Sequence, residues 1–512
     1  MFSWLLSLFS AYKTTPPPAG VRIIPCSAVD LYAASGLVLT TGLVINARLD
    51  PQRLEDTLAN LIERKFPRAG GRLAFRNGIY EFQIPDVFDA VKTPPARFTV
   101  ENYEEAYNCA GRPELPIALT GWKPSVIPAP DLEVFLRSKT CPKSQDDFLK
   151  PNVPLLHVHV AVFYDLTFVG VTSPHIAFDA LGTATLLTAW TRVLSGEDID
   201  TIPGMQWDAE PFASFAPGSS SSSVKPKVRR GWFELGWLSQ LLFILRMISR
   251  IIPDPNEATY FVRVPKAFLN EEKQKITTEL KIQESSEYVG SSDVLIAWWL
   301  KVCVPLSVYL LASNNLFLAF SQTMYAIRAP TDRTPIHLHV VNSVRNQPIF
   351  AQDAPLAHPY VQNAVLSITV PPLPVRAFQT ESLGALALRV RRAIVAYNAD
   401  PAGVRADLRW LCAGANATKT LFPCPPGAEF SVQTSWRAGK LGALDFSGAV
   451  AGDEKAAARV VFVHPVVSSG KTVPMRGSGA VLMEDEEVVW MSQIRGKKDW
   501  ERIRESGEIV FN

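Results

Sequence analysis

Apolar residues recur at helical spacing in four stretches of the chain. The clearest is LDPQRLEDTLANLIERKFP, residues 49 to 67, in which four apolar residues repeat at helical spacing: Leu54, Leu58, Leu61 and Ile62. This spacing predicts an amphipathic helix that begins near Asp50-Pro51. We also predict helices for FDALGTATLLTAWTRVLSG, for FLNEEKQKITTEL, and for SSDVLIAWWLKVCV, which Ser292 or Asp293 can cap.

Shorter apolar runs bounded by turn residues predict strands in both halves of the chain. In AGGRLAFRNGIYEFQI the Asn77-Gly78 pair predicts a hairpin, and VPLLHVHVAVFYDLTFVGVTS predicts two strands around a turn near Asp165. Further predicted strands are YFVRVP, TPIHLHVVNSV, EFSVQTSWRAG, ALDFSGAV and GAVLMEDEEVVWMS. Helices and strands occur in both halves without a strict strand–helix–strand order, so the fold class is α/β of the mixed, α+β kind.

A serine-rich stretch divides the chain. With 512 residues, 47% of them hydrophobic, the chain is long enough for two or three domains. The stretch APGSSSSSVKPKVRR, residues 216 to 230, predicts a linker because it cannot bury enough apolar area to fold alone. We therefore expect an N-terminal domain over residues 1–215, a linker with an amphipathic helix over 216–260, and a C-terminal domain over 261–512.

Two apolar segments raise the question of membrane contact. MFSWLLSLFSAY, residues 1 to 12, lacks an early positive region and a clear cleavage site, and it is too short to span a bilayer. Residues 232 to 252, WFELGWLSQLLFILRMISRII, carry Arg246 and Arg250 one helical turn apart, which suggests one cationic face. This segment is expected either to lie on a membrane surface or, in the simpler interpretation, to pack as a helix on the protein itself.

Charge and cysteine usage exclude several function classes. The net charge is +2 and the Lys and Arg residues are spread along the chain, so nothing indicates a nucleic-acid-binding surface. The six cysteines form no CxxC pair, which disfavours a disulfide framework or a zinc site. We expect reduced thiols in a cytoplasmic protein, with membrane association left open.

Most of the seven histidines fit structural positions. Two pairs alternate along predicted strands and two single residues lie beside prolines in predicted loops: His157 and His159, His337 and His339, His358 and His464. No carboxylate or cysteine accompanies the pairs at ligand spacing, so strand positions explain them better than a metal site does. We therefore expect no bound metal.

His175 stands apart from the other histidines. It follows Pro174 at the end of the apolar run LTFVGVTS and lies four residues before Asp179, ahead of a predicted helix. Imidazole changes protonation near neutral pH, so a histidine here can take a proton from an alcohol or amine. Asp179 can fix the tautomer of the ring, or it can turn away and hold the loop through an arginine. The alternative for the whole stretch is a core histidine beside a helix-capping aspartate.

The stretch His175-Ile176-Ala177-Phe178-Asp179 resembles the HxxxD motif of BAHD-type acyltransferases, the CoA-dependent plant and fungal enzymes that acylate alcohols and amines. Other stretches resemble further motifs of this family, in the family's order, between about residues 21 and 500. They are PRAGGRL at 67–73, DVLIA at 293–297, Val344-Arg345, YVQN at 360–363, TSW at 434–436 and DFSG at 445–448. Within the family, these stretches are most similar to those of the fungal branch that includes trichothecene acetyltransferase-like enzymes.

Two stretches depart from the family pattern. In the counterpart of D-F-G-W-G, Ser447 replaces the middle glycine, Ala449 follows Gly448, and the tryptophan is missing. In the counterpart of Y-F-G-N, Gln362 replaces the glycine. The D-F-G-W-G motif is structural in the family, so the first departure does not exclude activity.

The resemblance implies a fold and a set of substrates. It implies two chloramphenicol-acetyltransferase-like domains, each a mixed sheet with flanking helices, and an active-site channel between them. It also implies acyl-CoA as co-substrate, acetyl-CoA above all, with no bound prosthetic group. The expected acceptor is a hydroxyl of a hydrophobic secondary metabolite, and we expect a monomer.

The resemblance also implies roles for individual residues. His175 would be the general base, and Thr434, helped by Trp436, would donate to the oxyanion. Asp179 completes the catalytic motif but is expected to act structurally, through a buried pair with Arg345. Two further residues are expected to support the structure: Asp445 and Gly182.

Several alternatives stay open. Amine acylation is one. Another is a condensation-type domain acting on carrier-protein thioesters, although two positions of its HHxxxDG signature are Pro174 and Ala180 here. Glycerolipid acyltransferases need four residues between histidine and aspartate, and this chain has three. The last alternative is a non-catalytic binding member of the fold, which only the altered DFSG region supports.

Overall fold

The computed structural model describes residues 16, 18–31, 35–108, 111–216, 229–308, 333–413, 419, 421–452, 456–469 and 475–512. The apolar segment at residues 1–12 and most of the predicted linker lie outside this part of the chain.

Eighteen strands and eleven α-helices are formed by the described residues. The strands are β1 Val21–Pro25, β2 Leu37–Ile45, β3 Arg72–Arg76, β4 Ile79–Pro85, β5 Arg97–Asn102, β6 Ser125–Pro128, β7 His157–Val162, β8 Thr167–Pro174, β9 Phe233–Glu234, β10 Glu257–Pro265, β11 Pro335–Ser343, β12 Val365–Pro374, β13 Leu421–Phe422, β14 Glu429–Ser435, β15 Val460–Ser469, β16 Ser478–Glu484, β17 Val488–Gly496 and β18 Val510–Phe511. The helices are α1 Pro51–Lys65, α2 Glu133–Leu136, α3 Gln145–Phe148, α4 Ala180–Leu194, α5 Trp237–Ile251, α6 Lys266–Ile282, α7 Ser291–Val308, α8 Val375–Thr380, α9 Leu383–Asn398, α10 Pro401–Cys412 and α11 Lys497–Ser506.

Two mixed sheets form the body of the protein. A five-stranded sheet has the order β15-β2-β8-β7-β5, and its neighbours are antiparallel except for β5 and β7. An eight-stranded sheet has the order β12-β11-β14-β16-β17-β10-β6-β18, in which β11, β14 and β16 are parallel neighbours. Helices flank both sheets, so the predicted α/β fold of the mixed kind is confirmed.

Each sheet takes one strand from the other half of the chain. Strand β15, which lies near the C-terminus, pairs with β2 in the sheet of the N-terminal half. Strand β6 lies between β10 and β18 in the sheet of the C-terminal half. Each of the two halves on either side of the predicted boundary at residue 215 therefore contributes one strand to the sheet of the other half. Strand β10 begins at Glu257, inside the predicted linker segment.

The strand and helix that frame the HxxxD stretch follow directly from the sequence. Strand β8 is the central strand of the five-stranded sheet, and all its residues are buried between β2 and β7. It ends at Pro174, which has no N–H to continue the ladder. The chain turns at His175 and enters α4, whose N-cap is Asp179.

Several local predictions are confirmed and others are wrong. Helix α1 has the predicted position, and the Asn77-Gly78 turn has the two positive φ angles, 53° and 81°, that a two-residue hairpin turn requires. The predicted strand ALDFSGAV is wrong. It forms short 3-10 turns, because the Asp445 carboxylate accepts the N–H of Ser447 and bends the chain. His464, predicted in a loop, lies on β15.

The predicted cap of α7 also needs correction. The helix already begins at Ser291, so Ser292 and Asp293 lie in its first turn. From there the Asp293 carboxylate reaches back to accept the N–H of Gly290 at 2.7 Å. The aspartate thus satisfies a donor at the start of the helix without being the cap itself.

Candidate active site

The His175 ring is not held by any side chain within the described part of the protein. The residue lies in the turn between β8 and α4, where its backbone N–H donates to the carbonyl of Leu37 at 2.8 Å. The side chain is partly exposed, and no hydrogen bond to its ring occurs among the described residues. A general base needs a free nitrogen within reach of the substrate proton, and this ring keeps one available.

The Asp179 carboxylate is fully engaged elsewhere. It is 3% exposed and accepts four hydrogen bonds. One oxygen accepts the N–H of Gly182 at 2.7 Å and an Arg345 N–H at 2.9 Å. The other accepts from Arg345 at 3.0 Å and from the N–H of Ala364 at 2.9 Å. Four donors use the four lone-pair sites of a carboxylate, which leaves none to orient the His175 ring.

Arg345 is equally saturated. Besides its two bonds to Asp179, the guanidinium donates to the carbonyl of Tyr360 at 2.9 Å, to the hydroxyl of Ser343 at 3.3 Å and to the carbonyl of Gln362. All five N–H groups are therefore used. The expected pairing of Asp179 with Arg345 is present, and it joins the α4 cap to the C-terminal half of the chain.

Gly182 lies in close contact with the stretch at residues 360–363. A Cβ atom on Gly182 would lie 1.8 Å from the carbonyl oxygen of Val361, so the close contact between helix α4 and this stretch requires glycine. From the same stretch, the side-chain amide of Asn363 donates to the backbone carbonyls of His175 and Ile176 at 2.9 and 3.0 Å. Sequence reasoning did not single out Asn363. The one feature of the sequence that pointed to Asn363 was its position as the last residue of the YVQN stretch.

Thr434 and Trp436 lie on the C-terminal sheet. Thr434 is the penultimate residue of β14, and Trp436 follows that strand with its backbone N–H donating to the carbonyl of Val481 at 2.7 Å. The Trp436 side chain is buried, whereas Thr434 is partly exposed. Among the described residues no hydrogen bond joins either side chain to the His175 ring. Their role at an oxyanion stays a prediction.

A cleft of about 1340 Å³ separates α4 from β11 and β14. Residues of both halves line it: Leu181, Ala184, Thr188 and Arg192 from α4, and Ser343, Arg345, Ser435, Arg437 and Lys440 from the C-terminal half. Because Arg345 lines the cleft, its ion pair with Asp179 borders the cleft. His175 itself is not among the lining residues.

Two cationic residues, Arg437 and Lys440, lie next to each other on the C-terminal wall of the cleft. Arg437 donates to the Ser292 hydroxyl at 2.9 Å, at the start of α7, and also pairs with Glu484. Lys440 is exposed and forms no ion pair within the described ranges. On the opposite wall, Arg192 is neutralised by Glu197. Lys440 is therefore the cationic side chain of this wall that is most available to an anionic group.

The altered DFSG stretch packs far from His175. Phe446 is buried edge-to-face against Trp190 with ring centres 5.8 Å apart, and a Cβ on Gly448 would lie 1.8 Å from the carbonyl oxygen of Leu194. The Ser447 hydroxyl, present where the family has glycine, donates to Asp445 at 2.5 Å and accepts the N–H of Ala458. These contacts fall on the C-terminal half of α4, and a 15-residue helix is about 22 Å long.

The two histidine pairs lie on different sheets. His157 and His159 are on β7, and His337 and His339 are on β11. Burial lowers the pKa of His157 and of His339 to about 4, so both rings are neutral near pH 7. Within the ranges that the structure covers, no group of three or more His, Cys, Asp and Glu side chains is placed to hold a metal ion.

Helix α5 turns its arginines inward. Arg246 is its one buried side chain among those described, and both Arg246 and Arg250 pair with Glu429. The predicted cationic face therefore contacts the protein, and the apolar side of the helix faces outward. None of the helices described here combines the length and apolar character needed to cross a bilayer.

Comparison with known sequences finds fungal acetyltransferases. No family model matches the chain. Acetyltransferase adrJ of Penicillium rubens is 28% identical over 400 residues, which span 75% of this chain and 74% of adrJ. Acetyltransferase pyiB of Pyricularia grisea is 28% identical over 57% of this chain and 58% of its own length. A protein named Transcriptional regulator calD, from Penicillium decumbens, is 27% identical over 58% of this chain and 61% of its own length.

Comparison with solved structures identifies the fold. F. sporotrichioides TRI101, complexed with coenzyme A and T-2, superposes with a TM-score of 0.64 at 16% identity, covering 95% of this chain and 97% of TRI101. Vinorine synthase superposes with a TM-score of 0.56 at 14% identity, covering 95% and 93%. The chain thus shares the two-domain fold of TRI101 and vinorine synthase, and its acetyltransferase relatives support an acyltransferase similar to the BAHD-type enzymes of the TRI101-like branch.

Proposed function

We propose that the protein transfers an acyl group, acetyl above all, from CoA to a hydroxyl of a hydrophobic secondary metabolite, with His175 as general base. The observation that carries the proposal is the His175 ring, which has no hydrogen-bond partner among the described residues and lies on a turn that the Asp179–Arg345 ion pair connects to the C-terminal half. The acetyltransferase names of adrJ and pyiB support the donor class. One chain supplies both sides of the site, so the proposal is for a monomer.

The chemistry needs only the donor, the acceptor and a few side chains. The neutral His175 ring takes the hydroxyl proton as the acceptor oxygen attacks the thioester carbonyl. A C–O bond forms, the tetrahedral oxyanion collapses, and the C–S bond breaks. The imidazolium then returns the proton to the CoA thiolate, which leaves the histidine neutral for the next turnover.

For the oxyanion we propose the Thr434 hydroxyl, assisted by the indole N–H of Trp436. Thr434 is the penultimate residue of β14 and Trp436 directly follows the strand, so the two flank Ser435, which lines the cleft. A single preorganised donor of this kind contributes about 3 kcal/mol in well-studied acyl transfer. Substrate would bring the carbonyl between this strand end and the His175 turn.

For acyl-CoA we propose the cleft. Its volume of about 1340 Å³ exceeds that of pockets for drug-sized ligands, roughly 300–1,000 Å³. The anionic phosphates would lie against Arg437, Lys440 and the N-terminus of α7, where backbone N–H groups and the helix dipole favour negative charge. The pantetheine arm would then follow α4 toward Leu181 and the acyl end toward His175.

The function is tested by thiol release from a panel of acyl-CoAs, with a pool of hydrophobic alcohols and amines as acceptors. We expect CoA release that requires an acceptor and is lost in His175→Ala. The mass of the product separates O-acylation from N-acylation. An absence of release, together with no thermal shift on adding any acyl-CoA, would contradict the proposal and favour a carrier-protein donor.

A non-catalytic binding role is the second candidate. One relative carries the name Transcriptional regulator calD, and the DFSG stretch departs from its family pattern. In this case acyl-CoA would bind without being consumed, in wild type and in His175→Ala alike. The same assay therefore separates the two candidates.

We also propose that α5 rests in the lipid–water interface of a membrane. Six large apolar side chains on this helix and at its end are exposed: Trp237, Leu238, Leu241, Leu245, Ile248 and Ile252. Its two arginines are held by Glu429, so the outward face carries no charge. A helix about 22 Å long buries much less than the roughly 800 Å² per partner of a standard protein interface, which favours lipid over a second copy of the chain.

A further inference from the structure

A buried polar cluster lies behind the His175 turn, and the acyl-transfer chemistry does not use it directly. Its centre is Asn363, which is 3% exposed. The amide nitrogen of Asn363 lies 2.9 Å from the carbonyl oxygen of His175 and 3.0 Å from that of Ile176. It also lies 3.3 Å from a carboxylate oxygen of Asp30. Three acceptors thus converge on the two N–H groups of one amide.

Asp30 is anchored by a second set of bonds. Its other carboxylate oxygen accepts the N–H and the hydroxyl of Ser27, at 2.8 and 2.7 Å. The side chain is 2% exposed, and this burial raises the pKa of Asp30 to about 6. Hydrogen bonds from Ser27 and Asn363 and the positive charge of Arg68 oppose that rise.

Four other groups interact with the Asp30 charge, each from a different element. They are Cys26 after β1, Arg68 after α1, Tyr360 before β12 and Cys412 at the end of α10. Burial raises the pKa of Tyr360 and of both cysteines, so these three groups are neutral near pH 7. Arg68 is therefore the charged neighbour, and Asp30 is the group of this cluster that titrates closest to neutrality.

The cluster bears on the orientation of the His175 ring. A catalytic base is commonly held by a third group, often a carboxylate. Here the Asp179 carboxylate is saturated and the ring has no hydrogen-bond partner among the described residues. The direction of the ring therefore depends on the backbone of the turn, which the Leu37 carbonyl holds on one side and Asn363 on the other.

We propose that Asn363 is a positioning residue for His175 and that Asp30 fixes the orientation of the Asn363 amide. With Asp30 ionised, a flipped amide would direct its oxygen at two carbonyl oxygens and a carboxylate, so only one orientation is favourable. Protonation of Asp30 removes the negative charge from this set of acceptors and so weakens the preference for the one orientation. The inference rests on the proposed role of His175 and adds two residues to the machinery that sets its geometry.

The test compares kcat and KM for Asn363→Ala and Asp30→Asn with wild type, with the exposed Asn102→Ala as the matched control. A displacement of about 1 Å at a reacting group costs on the order of a hundredfold in rate. We expect kcat to fall between tenfold and a hundredfold in both site variants, with KM for acyl-CoA within twofold of wild type, because neither residue lines the cleft. The control should match wild type.

The pH profile separates positioning from simple loss of stability. In wild type, protonation of Asp30 should lower kcat as the pH falls through about 6. In Asp30→Asn this contribution to the pH dependence of kcat should be absent. If Asn363→Ala does not fold, Asp30→Asn decides alone. The inference would be overturned by a wild-type kcat in both variants. It would also be overturned if kcat of Asp30→Asn fell toward acidic pH as steeply as kcat of the wild type. An absence of His175-dependent turnover in wild type would overturn the proposed function as well.

Discussion

The Asp179 carboxylate and the Arg345 guanidinium form a buried, two-bond ion pair, at 2.9 and 3.0 Å, between the cap of α4 and the loop after β11. The residues lie 166 positions apart, in different halves of the chain. The pair therefore couples the folding of the two halves to the shape of the turn that carries His175. It also removes Asp179 from any proton relay, since all its acceptor sites are occupied.

Removing one partner of this pair should destabilise the protein. Asp179→Ala would leave Arg345 buried without its carboxylate and would uncap α4, and one-sided loss of a buried pair costs about 3–5 kcal/mol. Chemical denaturation should show this loss, with a smaller loss for the double variant Asp179→Ala/Arg345→Met than for the sum of the single changes. Soluble Asp179→Ala protein with wild-type stability and full activity would refute the structural role.

Gly182→Ala should be harmful although it adds a single methyl group. That methyl would lie 1.8 Å from the Val361 carbonyl oxygen, so either α4 or the 360–363 stretch must move. Overpacking of this kind costs about 1–3 kcal/mol. Gly236→Ala is the matched control, because nothing lies within 4 Å of its added methyl. Thermal unfolding should show a clear drop in Tm for the first variant only, and equal Tm values would refute the contact.

Lys440→Ala should weaken acyl-CoA binding without slowing the chemistry. Lys440 lines the cleft, is exposed and has no ion pair among the described residues, so its charge is available to a phosphate. Loss of a contact made equally in ground and transition states raises KM and leaves kcat unchanged. We expect a KM increase of about threefold to tenfold that shrinks at high salt. Lys497→Ala, outside the cleft, is the control, and an equal effect there would contradict the assignment.

Helix α5 should bind neutral lipid vesicles. Its outward face carries no charge, so sedimentation with phosphatidylcholine vesicles should be nearly independent of salt concentration. Leu241→Ser/Ile248→Ser should release the protein while leaving turnover of a dispersed substrate intact. A wild-type protein that forms a stable dimer in analytical ultracentrifugation and does not bind the vesicles would instead indicate a second copy of the chain as the partner of α5.

The sequence predicts local features of the site well and long-range contacts poorly. The turn from β8 into α4 follows from an apolar run, a proline and a capping aspartate, all within 15 residues. The partner Arg345 required resemblance to a family, because no spacing connects it to Asp179. Asn363 was missed for the same reason, since its acceptors at 175 and 176 are nearly 190 residues away.

Two larger features of the fold could not be predicted from the sequence pattern either. The exchange of β6 and β15 between the sheets depends on pairing partners in the other half of the chain. The orientation of α5 depends on Glu429, which lies 183 residues after Arg246. An amphipathic pattern shows that a helix has two faces, and only the partner shows which face turns inward.

The role of His175 as general base is tested most directly by the ratio of kcat between wild type and His175→Ala, for the best donor and acceptor pair. A positioned base contributes typically 10²–10⁴-fold to a rate. We predict a loss of that size, with the thermal shift caused by acyl-CoA retained. A His175→Ala enzyme that keeps kcat within a few-fold of wild type would contradict the proposed mechanism.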